Sequence, residues 1–155
     1  MAVSWVGALL AIPVARLVLF PLRDRSSQAG WFDLGPVESF AHVTSPVAKP
    51  VNFERNDGWQ RAQVQQSVYV VAGPGGGPSV FSSVCPHLGC TVQWQAEQKT
   101  FHCPCHGGTY AAGGSRLAGP ASRGMDELPA RVQDGHLFVK FQYFRQSIAS
   151  KEVVE

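Results

Sequence analysis

Two short segments concentrate the reactive side chains of this chain. "SVCPHLGC" (residues 83–90) and "HCPCHGG" (102–108) contain all four cysteines, with His87 in the first and His106 in the second. Thiolates and imidazoles are soft to borderline donors suited to zinc, iron and copper. Several arrangements can be set against the spacing. Two disulfides would suit a secreted domain but would leave His87 and His106 without a role. A zinc site on Cys85, His87, Cys103 and His106 has acceptable donors, yet C-x-H with C-x-x-H is unusual spacing and two cysteines stay idle. Haem attachment needs C-x-x-C-H, and "CPCH" is one residue short. A four-cysteine iron–sulfur cluster would waste both histidines. One arrangement employs all six residues: a two-iron cluster takes one thiolate and one imidazole from each loop, and the two remaining cysteines are free to join the loops.

The elements that must present these loops read as β. The chain has 155 residues, enough for one domain with a core plus an anchor or tail, and its 16 glycines and 11 prolines favour short strands and many turns. No repeat of solenoid period occurs. "RAQVQQSVYVV" (61–71) alternates as a strand, and "GPGGGP" (73–78) lacks the Gly-Lys-Ser/Thr ending of a phosphate loop and reads as a turn. "TVQWQAEQKTFHC" (91–103) predicts a hairpin that delivers the second cysteine loop. "ARVQDGHLFVKF" (130–141) predicts another, with Asp134-Gly135 at a turn requiring positive φ. The formal charge of +2, with no basic run interleaved with aromatics, sets nucleic acid aside as a partner.

The N-terminus differs in kind. "AVSWVGALLAIPVARLVLF" (2–20) is almost wholly apolar, and as a helix it would span roughly 28 Å, the thickness of a bilayer's hydrocarbon core. A basic leader and a small-residue cleavage site are missing, so residues 1–22 read as a transmembrane anchor rather than a signal peptide. Residues 23–33 read as a hinge or linker, 34–144 as the β domain and 145–155 as a C-terminal tail. Arg23 and Arg25 after the span would by charge alone keep the domain in the cytoplasm.

C-x-H-L-G-C followed by C-P-C-H-G resembles the Rieske iron–sulfur proteins, in particular the disulfide-bearing kind of cytochrome bc-type complexes. "CTVQW" after the first loop, "AGP" after the second and "GPVESF" near residue 36 add to the likeness. The resemblance implies a mainly β chain: an N-terminal transmembrane helix, a hinge, then a Rieske-type antiparallel β domain with a small cluster-binding subdomain at about 80–122. It implies one 2Fe–2S cluster held by Cys85 and Cys103 on one iron and by His87 and His106 on the other, with Cys90 and Cys105 as a disulfide. Leu88 would lie at the tip, and Gly119–Ser122, with Pro120, would cover the far side. His106 would hydrogen-bond the quinol and accept its proton.

The implied function is that of a quinol–cytochrome c reductase subunit, not catalytic alone, working with cytochrome b and a c-type cytochrome in a dimeric multi-subunit complex. The place it implies is a bacterial inner (plasma) membrane, single-pass, with the soluble domain on the periplasmic side. A disulfide requires an oxidising compartment, which outweighs the charge rule. Rieske subunits of arsenite-oxidase-like enzymes and of oxygenases are the alternatives; the extra cysteine pair and the anchor weigh against the oxygenase kind, and the anchor weighs against the arsenite-oxidase-like kind. Tyr110 matches a family tyrosine whose hydroxyl bonds a cysteine ligand. Gly108 stands where high-potential members carry a serine. A missing donor destabilises the reduced, more negative cluster and lowers its potential, which favours menaquinol over ubiquinol.

Overall fold

In the computed structural model, which describes residues 11–15, 30–57 and 60–154, the fold is arranged around one strand. Strand β3 (Gln60–Ala72) carries the apolar run Val68–Val71. Alternate residues of a strand face opposite sides. Val68 and Val70 therefore enter one core, and Tyr69 and Val71 enter a second. Strand β4 (Pro78–Ser82) repeats the division, with Val80 in the first core and Phe81 in the second. With β2 (Val47–Asp57) they form an antiparallel sheet in the order β2–β3–β4. Both faces are covered at Val68–Val71, which is why the alternation of the strand's first half gives way there to a continuous apolar run. The glycine-rich stretch after β3 is a tight turn, with Gly73 N–H donating to Gly77 O at 2.8 Å.

A three-stranded sheet closes the first core. Its order is β1 (Trp31–Pro36), β10 (His136–Lys140), β9 (Ala130–Gln133). Leu34, Leu137, Val139 and Phe141 pack inward, and the rings of Phe53 and Phe141 meet at 5.3 Å. A 3-10 turn, Val37–Phe40, adds Phe40. The turn between β9 and β10 is Asp134-Gly135, with φ of 51° and 76°, the positive angles a two-residue hairpin demands.

The second core belongs to a smaller antiparallel sheet of four strands in sequence order: β5 (Gln93–Gln95), β6 (Thr100–Cys103), β7 (Gly108–Ala111) and β8 (Arg116–Ala118). Phe101 is its centre, fully buried between the rings of Tyr69 and Trp94, each 4.8 Å away. The first cysteine loop joins β4 to β5, and the second is the hairpin loop from β6 to β7.

Three features add to the sequence reading. Strand β2 carries Pro50 in its interior. It is an edge strand of its sheet, and an edge can lose one N–H without breaking a ladder on both sides. Strand β1 begins at Trp31, inside the stretch assigned to the linker. The tail folds back: β11 (Tyr143–Phe144) pairs with β12 (Val153–Val154). Among the described residues no helix is long and apolar enough to cross a membrane. The expected anchor, except for the helical residues 11–15, and residues 23–29 of the expected hinge lie outside the described residues.

Removing a fully buried aromatic side chain costs about 3–5 kcal/mol. Phe101→Ala is expected to lose that much stability in urea denaturation. Val132→Ala, at a side chain 54% exposed, should stay within about 0.5 kcal/mol of the parent. Equal midpoints for the two variants would contradict the second core as described.

Candidate metal centre

The two cysteine loops close in the same way. In the first, Gly89 N–H donates to Cys85 O at 2.9 Å. In the second, Gly107 N–H donates to Cys103 O at 3.1 Å. Both glycines are left-handed, with φ of 79° and 69°, where a side chain is strained. The base of the first loop is closed by Cys85 N–H to Cys90 O at 2.8 Å and a bridge from Val84 to Thr91. The base of the second is the ladder pair Cys103–Gly108.

These turns separate the donors by solvent. Cys85 and Cys103 are free thiols buried in the second core. His87 is half-buried and His106 exposed, with their rings perpendicular and 4.9 Å apart. Cys90 and Cys105 form a disulfide between the loops, with Cα atoms 6.5 Å apart. The sulfurs of Cys90, Cys103 and Cys105 also lie within 4.8 Å of one another. Two of these are bonded to each other and offer no thiolate, so this proximity is that of the disulfide to the Cys103 sulfur rather than a three-sulfur metal site.

Polar groups converge on the two thiols from below and from the loop backbone. Tyr110 is fully buried, and its hydroxyl lies 3.3 Å from the Cys85 sulfur. Burial, and then the neighbouring Cys85, push its ionisation well above the usual phenol range, so the hydroxyl keeps its proton and is able to donate to a Cys85 thiolate. Burial likewise pushes the Cys103 thiol up, against the backbone N–H groups of Cys105 and His106, which point at its sulfur and favour the thiolate. A thiol kept protonated by burial must release its proton when a metal binds. The amides of Cys105 and His106 were not singled out from the sequence, because their direction follows only from the turn.

Gly108 is buried, and a Cβ there would lie 3.1 Å from the Tyr110 hydroxyl and 3.5 Å from the Cys103 Cβ. Gly119, at φ 97°, packs so closely that a Cβ on it would come within 2.6 Å of the Gly108 Cα. The loop that starts at Gly119 and carries the exposed Pro120 is thus laid against the backbone of the second cysteine loop. Arg116 fixes its start by donating to Gly119 O at 2.6 Å. The Thr109 hydroxyl is committed to Gly107 O at 3.3 Å and does not serve a sulfur. Leu88 stands at the first loop's tip, 57% exposed.

One group near the site left no signal in the sequence. Arg123 makes two hydrogen bonds to Asp126, both 2.8 Å, with side chains only 10% and 6% exposed. An arginine three residues before an aspartate is common on surfaces, and nothing local marks this pair as buried.

Residues 44–130 match the Rieske [2Fe-2S] domain family. The menaquinol:cytochrome c reductase iron-sulfur subunit of Geobacillus thermodenitrificans is 27% identical over 140 residues, 88% of this chain and 82% of that protein. The cytochrome b6-f complex iron-sulfur subunit of Chlorobaculum thiosulfatiphilum is 31% identical over 142 residues, 88% of this chain and 70% of the relative. The soluble domain of Rieske protein II from Sulfolobus acidocaldarius shares the fold at a TM-score of 0.50 and 19% identity, covering 83% of this chain and 87% of that one. The donors fit the group for which the family is named: two free thiols in a dry floor, two imidazoles at the wet edge, and the remaining cysteines removed from competition by oxidation.

The Cys90–Cys105 bond closes a separation of 15 residues, for which the chain-entropy gain is about 3 kcal/mol. Replacing both cysteines with alanine should lower stability by that order under non-reducing denaturation. A double variant as stable as the parent would show that the loops are held by other contacts.

Proposed function

Because the chain belongs to the Rieske 2Fe–2S domain family, we propose that it is the iron–sulfur subunit of a bc-type quinol–cytochrome c oxidoreductase. In this role it takes one electron from a quinol at cytochrome b and passes it to a c-type cytochrome. The observation that carries this reading is the disulfide joining two loops that each hold one thiol and one imidazole. Support comes from relatives named as menaquinol:cytochrome c reductase and cytochrome b6-f subunits that align over 88% of the chain.

In this assignment Cys85 and Cys103 hold one iron, and His87 and His106 hold the other. The bound cluster supplies one-electron acceptance. The exposed His106 hydrogen-bonds the quinol hydroxyl through its free ring nitrogen and takes the proton there, within direct hydrogen-bond reach of the hydroxyl. His87, half-buried beside it, completes the edge. Leu88, exposed directly after His87, presents an apolar surface suited to excluding water from a docked quinol. The chain is an electron-transfer subunit within a complex and does not turn over alone. The apolar N-terminus anchors it in a bacterial plasma membrane, and residues 23–30 act as a tether. The head faces the outer side, where the disulfide persists.

Menaquinol is the assigned donor. Gly108 brings no hydroxyl to the sulfurs, Thr109 is engaged elsewhere, and Tyr110 remains as the hydroxyl donor on Cys85. With fewer donors the reduced cluster is less stabilised and the potential falls toward that of a low-potential quinol.

Electron paramagnetic resonance of the reduced protein tests the ligand set. Mixed cysteine–histidine ligation lowers the average g value below that of four-cysteine clusters, and His87→Ala or His106→Ala should abolish that signal. A parental spectrum from either variant would falsify the assignment. Potentiometry tests the tuning. A hydrogen bond to a charged acceptor is worth about 1.5–3 kcal/mol, and about 1.4 kcal/mol corresponds to 59 mV for one electron. Only the difference between redox states counts, so each donor should move the midpoint by about 60–120 mV. Gly108→Ser should raise it and Tyr110→Phe should lower it. The shifts should not add, because a Cβ at position 108 crowds the Tyr110 hydroxyl. A parental midpoint near about +300 mV, the top of the Rieske range, would exclude menaquinol.

A further inference from the structure

The segment after the last long strand does more than end the chain. Residues 145–152 form a loop whose ends are tied by Arg145 N–H to Glu152 O at 2.8 Å and by the Arg145–Glu152 ion pair at 3.3 Å. The loop reaches the first cysteine loop through Ser147, which is left-handed at φ 59°. Its N–H donates to Pro86 O at 2.9 Å and its hydroxyl donates to His87 O at 2.6 Å. The Gln146 amide lies over Gly89, where a Cβ would come within 2.6 Å of the Gln146 Nε2. Three of the four backbone positions from Pro86 to Gly89 are therefore contacted from outside, with Ser147 holding the carbonyls of Pro86 and His87 and Gln146 covering Gly89.

The loop is itself anchored to the floor of the site. Arg123, already fixed by its buried pair with Asp126, donates from Nη1 to Ile148 O at 2.7 Å. Lys151 donates to Glu127 O and stands 4.9 Å over the Phe144 ring. The result is a continuous chain of contacts from the loop beyond Pro120, through Arg123, to Ile148, Ser147 and the His87 carbonyl.

We propose that residues 145–152 are a strap that positions His87 through the backbone of its own loop, with Ser147 as the positioning residue and Arg123 as the anchor. This rests on the reading of His87 as a cluster ligand. An imidazole on a short loop can rock about its backbone unless the carbonyls on either side are held. The two bonds from Ser147 hold them through the backbone alone, from a segment that supplies no cluster ligand. The outward turn of Ser147, in a conformation that glycine or asparagine takes more readily, is what places its N–H and hydroxyl on adjacent carbonyls.

The test uses the full-length, cluster-loaded protein. Ser147→Gly accepts the same φ and keeps the N–H bond to Pro86, so it removes only the hydroxyl. Iron release to a ferrous chelator should become about three- to tenfold faster, the factor that corresponds to one net hydrogen bond. The resonance lines of the reduced protein should broaden as His87 samples more orientations, a change that a purely structural role in the tail would not produce. Ser147→Asn, which tolerates the left-handed region and offers an amide donor, should restore both readings. A Gly variant with parental release and line shape overturns the strap, and so does a defect that Asn leaves uncorrected. A parent protein without the mixed-ligand signal overturns the ligand reading and the strap with it, whereas a normal parental signal confines any failure to the strap.

Discussion

Two short loops that each carry one thiol and one imidazole behave as one site only if their separation is held, and the Cys90–Cys105 bond holds it. Neither loop contains enough apolar surface to fold alone. Each is pinned at its base by a few backbone hydrogen bonds and turned at its tip by one left-handed glycine. The covalent link limits what the loops can do in the unfolded chain and in the folded one. It also sorts the four cysteines: oxidation of one pair leaves the other as the only thiols available to a metal. The arrangement depends on an environment in which one pair of sulfurs stays oxidised while two neighbouring thiols stay free.

The second organising fact is the division of the site into a dry floor and a wet edge. The two thiols sit among Val92, Phe101 and Tyr110, in a core where an unpaired charge would be costly. Donors aimed at the sulfurs, the Tyr110 hydroxyl and the amides of Cys105 and His106, offset that cost for the charged form. The imidazoles emerge where solvent and a partner molecule can reach them. The close approach of Gly119 to Gly108 completes the floor. Two glycines meet there with no room for a Cβ on Gly119, so the covering loop is brought against the cysteine loop without intervening side chains.

The sheet formed by β2, β3 and β4 connects this site to the rest of the head. One face of β3 and β4 builds the base core with Leu137, Val139 and Phe141, and the other builds the floor beneath the thiols. A strand that serves two cores ties the position of one to that of the other. The buried Arg123–Asp126 pair and the C-terminal loop reinforce this from the side. Such a pair contributes little net stability relative to well-packed apolar residues, but either partner alone would be a buried, uncompensated charge. It therefore specifies how the covering loop and the tail are joined.

The sequence by itself determined the parts of this protein whose physics is local. The spacing of cysteine, histidine and glycine in the two loops marked the metal chemistry, because donors two or three residues apart can share one centre wherever the loop is placed. Asp134-Gly135 marked its hairpin because only such residues accept two consecutive positive φ angles. The strand at 61–71 was legible through its period of two. Tertiary structure alone decided the rest. Pro50 obscured β2, which is tolerated only because that strand lies at a sheet edge. The hydroxyl of Thr109 was turned to Gly107 O by the geometry of its hairpin. Arg123, Asp126, Ser147 and the carbonyls of Pro86 and His87 meet across separations of up to 61 residues. Contacts of that range leave no periodic or compositional trace, since each residue is ordinary in its own neighbourhood and acquires its role only when the chain has folded around it.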